Sequence, residues 1–157
     1  MDSQAAAASA LDRVAFPPDG LWSTAQFCDE LRCERTMALG AWLPCDEGQE
    51  TLVGMAFTST VLDETSLTTL AVHPSTRRQG LAEILLRECM ASACAAGSQR
   101  FLLEVRASNT NAIALYSKCG LSCSGRRKRY YRDNEDALLY DCDLGSSGAS
   151  GSLPPLP

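Results

Sequence analysis

Apolar residues recur along the chain with two spacings, one typical of helices and the other of strands. Residues 4–14 are rich in alanine and favour a helix. Ser23 and Gln26 have the spacing of a capping box, which predicts a second helix that continues to about Arg32. Three apolar segments then predict strands, at residues 36–43, 51–61 and 66–72. Their short connections favour an antiparallel meander.

One long helix and a closing hairpin dominate the second half of the chain. Helical spacing predicts a helix over residues 80–96, with Gly97 as its C-terminal cap. Its predicted buried stripe comprises Leu81, Ile84, Leu85, Cys89, Ala93 and Ala96. A strand over 101–105, a short helix that begins after Asn109, and two strands over 121–131 and 136–142 follow. This order predicts an α+β fold, with a mixed, mostly antiparallel sheet and helices on both faces.

Length and composition bound the domain organisation. With 157 residues, of which 45% are hydrophobic, the chain is long enough for one domain with a sizeable core. We assign residues 1–144 to that domain. Residues 145–157 are rich in Gly, Ser and Pro and contain few core-forming residues, so we expect them to form a disordered tail.

The net charge and the cysteine content limit the classes of binding partner and the cell compartment that we expect. A net charge of −5 argues against general nucleic-acid binding. No apolar run approaches the length that spans a membrane, and the N-terminal residues lack the pattern of a secretory signal. The eight cysteines contain no CxxC pair, and His73 alone cannot complete a zinc site. We therefore expect reduced thiols, no metal and a cytoplasmic monomer.

A basic loop between an apolar strand and the long helix is a candidate anion site. The segment comprises Leu70, Ala71 and Val72 of the strand, and Arg77, Arg78, Gln79, Gly80, Leu81 and Ala82 of the loop and first turn. The first N–H groups of a helix lack intrahelical partners and favour an anion. Gly80 lets the backbone approach a ligand closely, and Arg77 and Arg78 add charge for phosphate. The pattern predicts a phosphate site, although a basic loop that is simply solvated has the same composition.

A single carboxylate, Glu104, interrupts the apolar strand over residues 101–105. A buried carboxylate is costly unless it has a partner or a function. Burial would make Glu104 a better base near neutral pH. The pattern leaves this role open beside two others, an ion pair with an arginine and plain exposure at a strand edge.

Two segments together resemble the GNAT acetyltransferases. One is the pattern Arg-x-x-Gly-x-Ala at Arg77, Gly80 and Ala82, and the other is LEVRASNTNAIALYSKCGL over residues 103–121. The resemblance extends over about residues 16–144 and is greatest to the RimI-type ribosomal-protein alanine N-acetyltransferases. It implies a GNAT acyltransferase fold and transfer of acetyl from acetyl-CoA to the N-terminal α-amine of a protein, with the N-terminal alanine of a ribosomal protein as the acceptor. Two alternatives stay open, a GNAT enzyme with another protein or small-amine acceptor, and a non-catalytic CoA-binding module.

The resemblance also implies roles for individual residues. Glu104 matches the general base of the family and Tyr116 its general acid, although Tyr116 also fits a buried core position. Residues 70–72 would offer backbone groups to the pantetheine arm, and residues 77–82 would hold the diphosphate. Asn109 would contact CoA or only cap its helix.

Aromatic residues are the candidates for binding the acceptor peptide. Tyr130 and Tyr131 resemble a tyrosine pair that binds the peptide backbone in N-terminal acetyltransferases, unless they only pack across the hairpin. Trp22 would line the acceptor pocket or form a hydrophobic staple with its helix. The basic run 126–129 lies close to several acidic residues, so we expect a solvated hairpin there. The chain departs from the family in lacking a strand before its first helix and in carrying Leu121 where phenylalanine is usual.

Overall fold

The computed structural model describes residues 2–18, 21–45 and 48–145. Within these ranges the helices are α1 (Asp2–Ala15), α2 (Thr24–Arg32), α3 (Leu81–Ala95) and α4 (Thr110–Lys118), with a 3₁₀ turn at Pro74–Thr76. The strands are β1 (Thr36–Pro44), β2 (Glu50–Val61), β3 (Glu64–Val72), β4 (Arg100–Arg106), β5 (Ser122–Arg127) and β6 (Ala137–Asp143). Every predicted element is present. The predicted disordered tail lies outside the described residues, apart from Gly145.

The start of α2 is fixed by its own sequence. Ser23 Oγ accepts a hydrogen bond from the Gln26 N–H at 3.2 Å, and Gln26 Oε1 accepts one from the Ser23 N–H at 2.9 Å. The ring of Trp22 packs against that of Phe27, with 5.3 Å between their centroids. The predicted capping box and the hydrophobic staple are therefore both present.

The strands form one sheet in the order β1-β2-β3-β4-β6-β5. β1, β2 and β3 pair antiparallel, which confirms the predicted meander. β3 and β4 pair parallel, and α3 makes the crossover between them. β4, β6 and β5 pair antiparallel, so the sheet is mixed and mostly antiparallel, as the order of elements predicts.

Helices cover both faces of the sheet, and each face has its own core. On one face α1 and α2 pack against the sheet in a cluster that includes Phe27, Met55 and Phe57. On the other face α3 and α4 enclose a cluster that includes Ala56 and Phe101. Successive strand residues point to opposite faces, which is why Ala56 and its two neighbours belong to different cores. This alternation also fixes the direction of each side chain of β4.

Two residues of the predicted stripe of α3 are exposed, so that part of the prediction is wrong. Ile84 instead lines an open groove of about 200 Å³ together with Trp42. Ala96 is the C-cap residue and lies beyond the packed turns. The most buried side chains of the helix are Leu86 and Cys89.

The closing hairpin is shorter than predicted. β5 ends at Arg127, so Tyr130 and Tyr131 lie in the loop between β5 and β6. Arg129 and Asn134 in this loop have φ angles of 52° and 63°, which a regular strand does not accommodate. The alternative in which the two tyrosines pack across paired strands is therefore wrong.

Within the described residues no strand precedes α1, so the sheet begins with β1. Leu121, which stands where phenylalanine is usual, is buried in the α3–α4 core. None of the described helices has the length and apolar composition needed to cross a membrane. The described residues also contain no cluster of His, Cys, Asp or Glu side chains arranged to hold a metal ion.

Candidate functional site

β3 and β4 pair over only part of their length. Their parallel pairing ends at Leu67 and Leu103. Beyond this point β3 continues to Val72 against β2, while β4 continues against β6. The two strands therefore diverge, and Glu104 is the first residue of β4 in the opening between them.

The edge of β3 that faces this opening offers backbone groups. The His73 N–H donates to the Val53 carbonyl of β2 at 2.8 Å, so His73 and Ala71 direct their backbone groups to β2. Leu70 and Val72 alternate with them and direct theirs away from β2, although the Val72 carbonyl already accepts a hydrogen bond from Arg77. Of the three residues predicted to offer backbone groups to the pantetheine arm, Ala71 therefore does not fit.

The side chain of Arg77 is engaged within the protein. Its Nε donates to the Val72 carbonyl at 3.1 Å, and its Nη2 donates to the Ala15 carbonyl at the end of α1 at 3.0 Å. These bonds tie α1 to the end of β3. Two of its three guanidinium nitrogens thus bond to neutral backbone carbonyls, which fix the side chain and leave its charge in place, and a contact of Arg77 with phosphate stays a prediction.

The start of α3 has the features of an anion site. Gly80, its N-cap, has a φ of 82° and provides no side chain to bond the first N–H groups of the helix. The Ile84 N–H bonds back to the Gly80 carbonyl at 3.0 Å. The N–H groups of Leu81, Ala82 and Glu83 therefore point out of the helix end. A Cβ at Gly80 would meet no atom within 4 Å, so the space beside Gly80 is open.

Arg78 and Gln79 flank this helix end. Arg78 is exposed and has a φ of 63°, in the left-handed region that residues other than glycine seldom adopt. Gln79 lines the groove of Ile84 together with Leu81. The exposed guanidinium keeps Arg78 among the candidates for phosphate.

Close packing of α3 on β2 depends on Gly54, which the sequence pattern did not single out. A Cβ at this position would lie 2.9 Å from Leu81 Cδ2 and 3.1 Å from Leu85 Cδ1. Gly54 also pairs with Val72, the last residue of β3. It therefore positions the start of α3 against the end of β3. A glycine inside an otherwise apolar strand is the signal that would have identified it.

The side chain of Glu104 is partly exposed and forms an ion pair. Its neighbours Leu103 and Val105 belong to the α3–α4 core, so its side chain points to the opposite face of the sheet. There its Oε1 lies 2.8 Å from Arg127 Nη1, and its carboxylate raises the pKa of the nearby Tyr130 hydroxyl. Of the alternatives that the sequence left open, the ion pair with an arginine is the one found.

Tyr116 lies on α4 with its ring buried in the core, 6.2 Å from the ring of Tyr140. Burial, and to a lesser extent the phenol of Tyr131, raises the pKa of Tyr116 to about 12. Its hydroxyl therefore stays protonated near neutral pH. Tyr116 and Glu104 lie on opposite faces of β4, and Tyr131 interacts electrostatically with both.

Arg106 holds the loop between β5 and β6 against the end of β4. Its guanidinium lies 4.0 Å from the centroid of the Tyr131 ring. Its Nη1 bonds to Asp133 at 2.7 Å and to Glu135 at 2.8 Å. Tyr131 in turn meets Tyr130 edge to face, with 5.3 Å between centroids. Asp133 and Glu135 thus hold the Arg106 side chain in place, and Tyr131 and Tyr130 pack on it in turn.

Glu135 provides the second anchor of this loop. Its Oε1 accepts a hydrogen bond from the Ser108 N–H at 2.8 Å. The hydrogen bonds from Ser108, and then that from Arg106, lower the pKa of Glu135 to about 2. The carboxylate therefore remains ionised at all but very acidic pH. The ring of Tyr130, 47% of which is exposed, stands at the outer end of this network.

Two side chains of the basic run 126–129 pair with carboxylates, and one of these carboxylates is among the expected acidic neighbours. Arg126 Nε lies 3.2 Å from Asp136 Oδ2, and the Arg129 N–H donates to Asp136 Oδ1 at 2.8 Å. Arg127 pairs with Glu104. These contacts support the prediction of a solvated hairpin.

Two further candidates have structural roles. Trp22 packs on Phe27, and its backbone N–H donates to Asp12 Oδ2 at 2.9 Å. Asn109 Oδ1 accepts a hydrogen bond from the Ala112 N–H at 3.2 Å and so caps α4. A contact of Trp22 with the acceptor, or of Asn109 with CoA, stays a prediction.

Arg106 and Arg127 are the site residues for which the sequence carries no signal. Arg106 meets its carboxylates across 27 and 29 residues of sequence. Arg127 reaches Glu104 over an intervening strand. No local pattern specifies contacts of this kind, because they depend on the order of strands in the sheet.

Comparison with known proteins agrees with this geometry. A model of the acetyltransferase (GNAT) family matches residues 7–121. The ribosomal protein bS18-alanine N-acetyltransferases of Escherichia coli (strain K12) and Salmonella typhimurium are 40% and 38% identical to this chain over 91 residues. These segments cover 56% of this chain and 62% of each relative. The chain thus matches less than two thirds of the length of these curated relatives.

Solved structures show the same fold. The crystal structure of the ribosomal-protein-S18-alanine N-acetyltransferase from Escherichia coli has a TM-score of 0.76 and 32% identity, over 97% of this chain and 94% of that one. Arabidopsis thaliana NAA60, solved in complex with a bisubstrate analogue, has a TM-score of 0.79 and 20% identity, over 90% and 92% of the two chains. With the family match covering most of its length, the chain belongs to the acetyltransferase (GNAT) family.

Proposed function

We propose that the chain is an acetyl-CoA-dependent N-acetyltransferase that acts on the N-terminal α-amine of a protein, with the N-terminal alanine of a ribosomal protein as the acceptor. The observation that carries this proposal is the divergence of β3 and β4, which opens the sheet beside Glu104. The 32% identity with the Escherichia coli enzyme over nearly the whole chain supports the choice of acceptor.

The residues at the start of α3 fit the diphosphate of CoA. The N–H groups of Leu81 and Ala82 lack helix partners, the space beside Gly80 is open, and Arg78 supplies positive charge. Leu70 extends this row of polar backbone groups along the edge of β3, toward the opening. Acetyl-CoA, when bound, supplies an acyl group that is already activated as a thioester.

Glu104 is the general base of the proposed reaction. A free α-amine has a pKa of about 7.7–8.0, so near pH 7 it is mostly protonated and not nucleophilic. The Glu104 carboxylate faces the opening on the α1–α2 side, where it takes this proton directly or through water. Tyr130 and Tyr131 stand beside the carboxylate and would bind the backbone of the acceptor peptide.

Tyr116 is the proposed general acid. Glu104 passes the proton of the ammonium to solvent, the free amine nitrogen bonds to the acyl carbon, and Glu104 then takes the second proton from that nitrogen. The carbon–sulfur bond breaks as Tyr116 Oη donates a proton to the leaving sulfur, and Tyr116 regains a proton from solvent. A pKa of about 12 keeps this hydroxyl protonated until that step. The base and the acid lie on opposite faces of β4, so separate groups take the proton from the amine and give one to the sulfur.

A panel of acceptors tests the proposal. The protein is incubated with acetyl-CoA and with peptides that begin with free alanine, serine or methionine, beside a matched peptide whose N-terminus is blocked and which contains one lysine. We expect mass spectrometry to show acetylation of the free N-terminus, fastest for alanine. Acetylation of the lysine peptide alone would contradict the N-terminal function. Acetyl-CoA binding without transfer to any amine would instead favour a non-catalytic module.

A further inference from the structure

Arg127 forms an ion pair with Glu104, the carboxylate that the proposed reaction needs as its base. The residue ends β5, whereas Glu104 belongs to β4, and β6 lies between the two strands. Arg127 is in register with Ala137 of β6, and Glu104 with Leu139. The Arg127 side chain therefore reaches diagonally over β6 to place its Nη1 2.8 Å from Glu104 Oε1.

Two neighbouring arginines, Arg106 and Arg126, are held by acids that have no part in the proposed chemistry. Arg106 bonds to Asp133 and Glu135 and stacks on Tyr131. Arg126, the neighbour of Arg127 in sequence, pairs with Asp136. Within the described residues the acid that meets Arg127 is Glu104.

The Arg127 pair is also accessible to solvent. The side chain of Arg127 is 53% exposed and that of Glu104 is 32% exposed. The guanidinium lies 5.3 Å from the centroid of the Tyr130 ring, whose face can retain a cation that has left its carboxylate. An exposed pair of this kind is weak, so a competing cation can separate it.

We propose that Arg127 is a displaceable counter-ion: it neutralises Glu104 in the free enzyme and leaves when the ammonium group of the acceptor binds there. This inference rests on the proposed function, because it assumes that Glu104 receives the acceptor amine. An α-amine is mostly protonated at pH 7 and carries the same charge as the guanidinium. The exchange is one cation for another, so the charge on the carboxylate is balanced before and after it.

The exchange makes Arg127 a determinant of acceptor affinity. Part of the energy gained when the ammonium meets Glu104 is spent on separating Arg127 from it. Removing the guanidinium removes this competitor and tightens acceptor binding. Salt screens both ion pairs alike, so the exchange also makes acceptor binding in the wild type nearly insensitive to ionic strength.

Steady-state kinetics with an alanine peptide test the inference. We expect Arg127→Gln to lower the KM for the peptide roughly two- to fivefold, the range that an exposed ion pair supports, with little change in kcat. Arg127→Lys, which keeps the charge, should retain a KM near that of the wild type. Arg126→Gln is the matched control, because it removes the same charge from the adjacent residue without touching Glu104.

The salt dependence provides a readout that a merely structural role would not move. Between low and high ionic strength, the peptide KM should stay nearly constant in the wild type and in Arg126→Gln. It should rise with salt in Arg127→Gln, where the ammonium no longer exchanges with a protein cation. An unchanged or raised KM in Arg127→Gln, or a salt response equal to that of the wild type, would overturn the inference.

Nuclear magnetic resonance of the arginine side chains tests the contact without turnover. The Arg127 Nε–Hε signal, identified by its loss in Arg127→Gln, should shift when alanine amide is added, and Glu104→Gln should produce a similar shift without any ligand. If the Arg127 signal shifts neither with alanine amide nor in Glu104→Gln, the inference is contradicted. Failure of the proposed function gives a different result. No variant would then acetylate a free N-terminus, whether or not the Arg127 signal shifts.

Discussion

Tyr116, the proposed proton donor, has its ring buried in the core. A phenol ordinarily has a pKa near 10, and desolvation in the α3–α4 core raises that of Tyr116 to about 12. A phenol of ordinary pKa is already protonated near pH 7, so burial only extends the pH range over which the Tyr116 hydroxyl keeps its proton. A core position and the proposed proton donation are therefore compatible for this residue.

Removing the Tyr116 hydroxyl should slow the chemical step while leaving the fold intact. We expect Tyr116→Phe to lower kcat by about 10²-fold, the lower end of general acid catalysis, with an unchanged Kd for acetyl-CoA. Wild-type kcat should show no decline due to this group up to about pH 10, since its pKa is about 12. Tyr140→Phe, on the ring packed beside it, is the matched control. A decline near pH 8 that disappears in Tyr116→Phe would contradict the assignment.

Glu135 should make stability depend on pH in a predictable direction. Its pKa is lowered from 4.5 to about 2 in the folded protein, so its contribution is fully present above pH 4.5 and is lost as the pH falls toward 2. We expect Glu135→Gln to be less stable than the wild type at pH 7 and to converge with it near pH 2. Urea unfolding at several pH values measures this. Asp29→Asn, in an exposed acid of α2, is the control, and an equal pH dependence for both variants would contradict the prediction.

At the scale of elements, the site depends on where strands separate and where a helix begins. The hydrophobic pattern predicted part of this arrangement. It placed β3, the loop that follows it and the start of α3 where the structure has them. It did not predict that β3 and β4 diverge after Leu67 and Leu103, because the register of a parallel pair depends on the crossover that packs between them. It also placed Ile84 in the core, since helical spacing does not show how far along a helix the sheet extends.

Substituting Gly54 tests whether the seating of α3 matters for the donor site. A Cβ there would meet Leu81 at 2.9 Å and displace the first turn of the helix. We expect Gly54→Ala to cost about 1 kcal/mol of stability and to weaken acetyl-CoA binding several-fold by calorimetry. Gly125→Ala in β5, where a Cβ would meet Leu139 of β6 at 3.2 Å and no residue of α3, is the control. Equal acetyl-CoA affinity in both variants would show that α3 tolerates the shift.

At the scale of the whole molecule, two cores on opposite faces of one sheet hold the parts of the site in place. α1 and α2 cover the face that carries Glu104, and α4 brings Tyr116 to the other face. The order of helices and strands predicted this layering. It did not predict that β6 lies between β4 and β5, so it did not predict that Arg127 reaches Glu104 across β6. Residue types and the family resemblance thus identified the chemical groups, whereas the contacts between them required the sheet.

The turnover of two glutamine variants tests the central claim, that Glu104 in the opening of the sheet is the base. Glu104→Gln is compared with Glu64→Gln, because Glu64 also pairs with an arginine on the same sheet, at 3.0 Å from Arg100 and outside the opening. At saturating acetyl-CoA and alanine peptide near pH 7, we expect kcat to fall about 10²- to 10⁴-fold in Glu104→Gln and to stay near the wild-type value in Glu64→Gln. Equal kcat in the two variants would contradict the account.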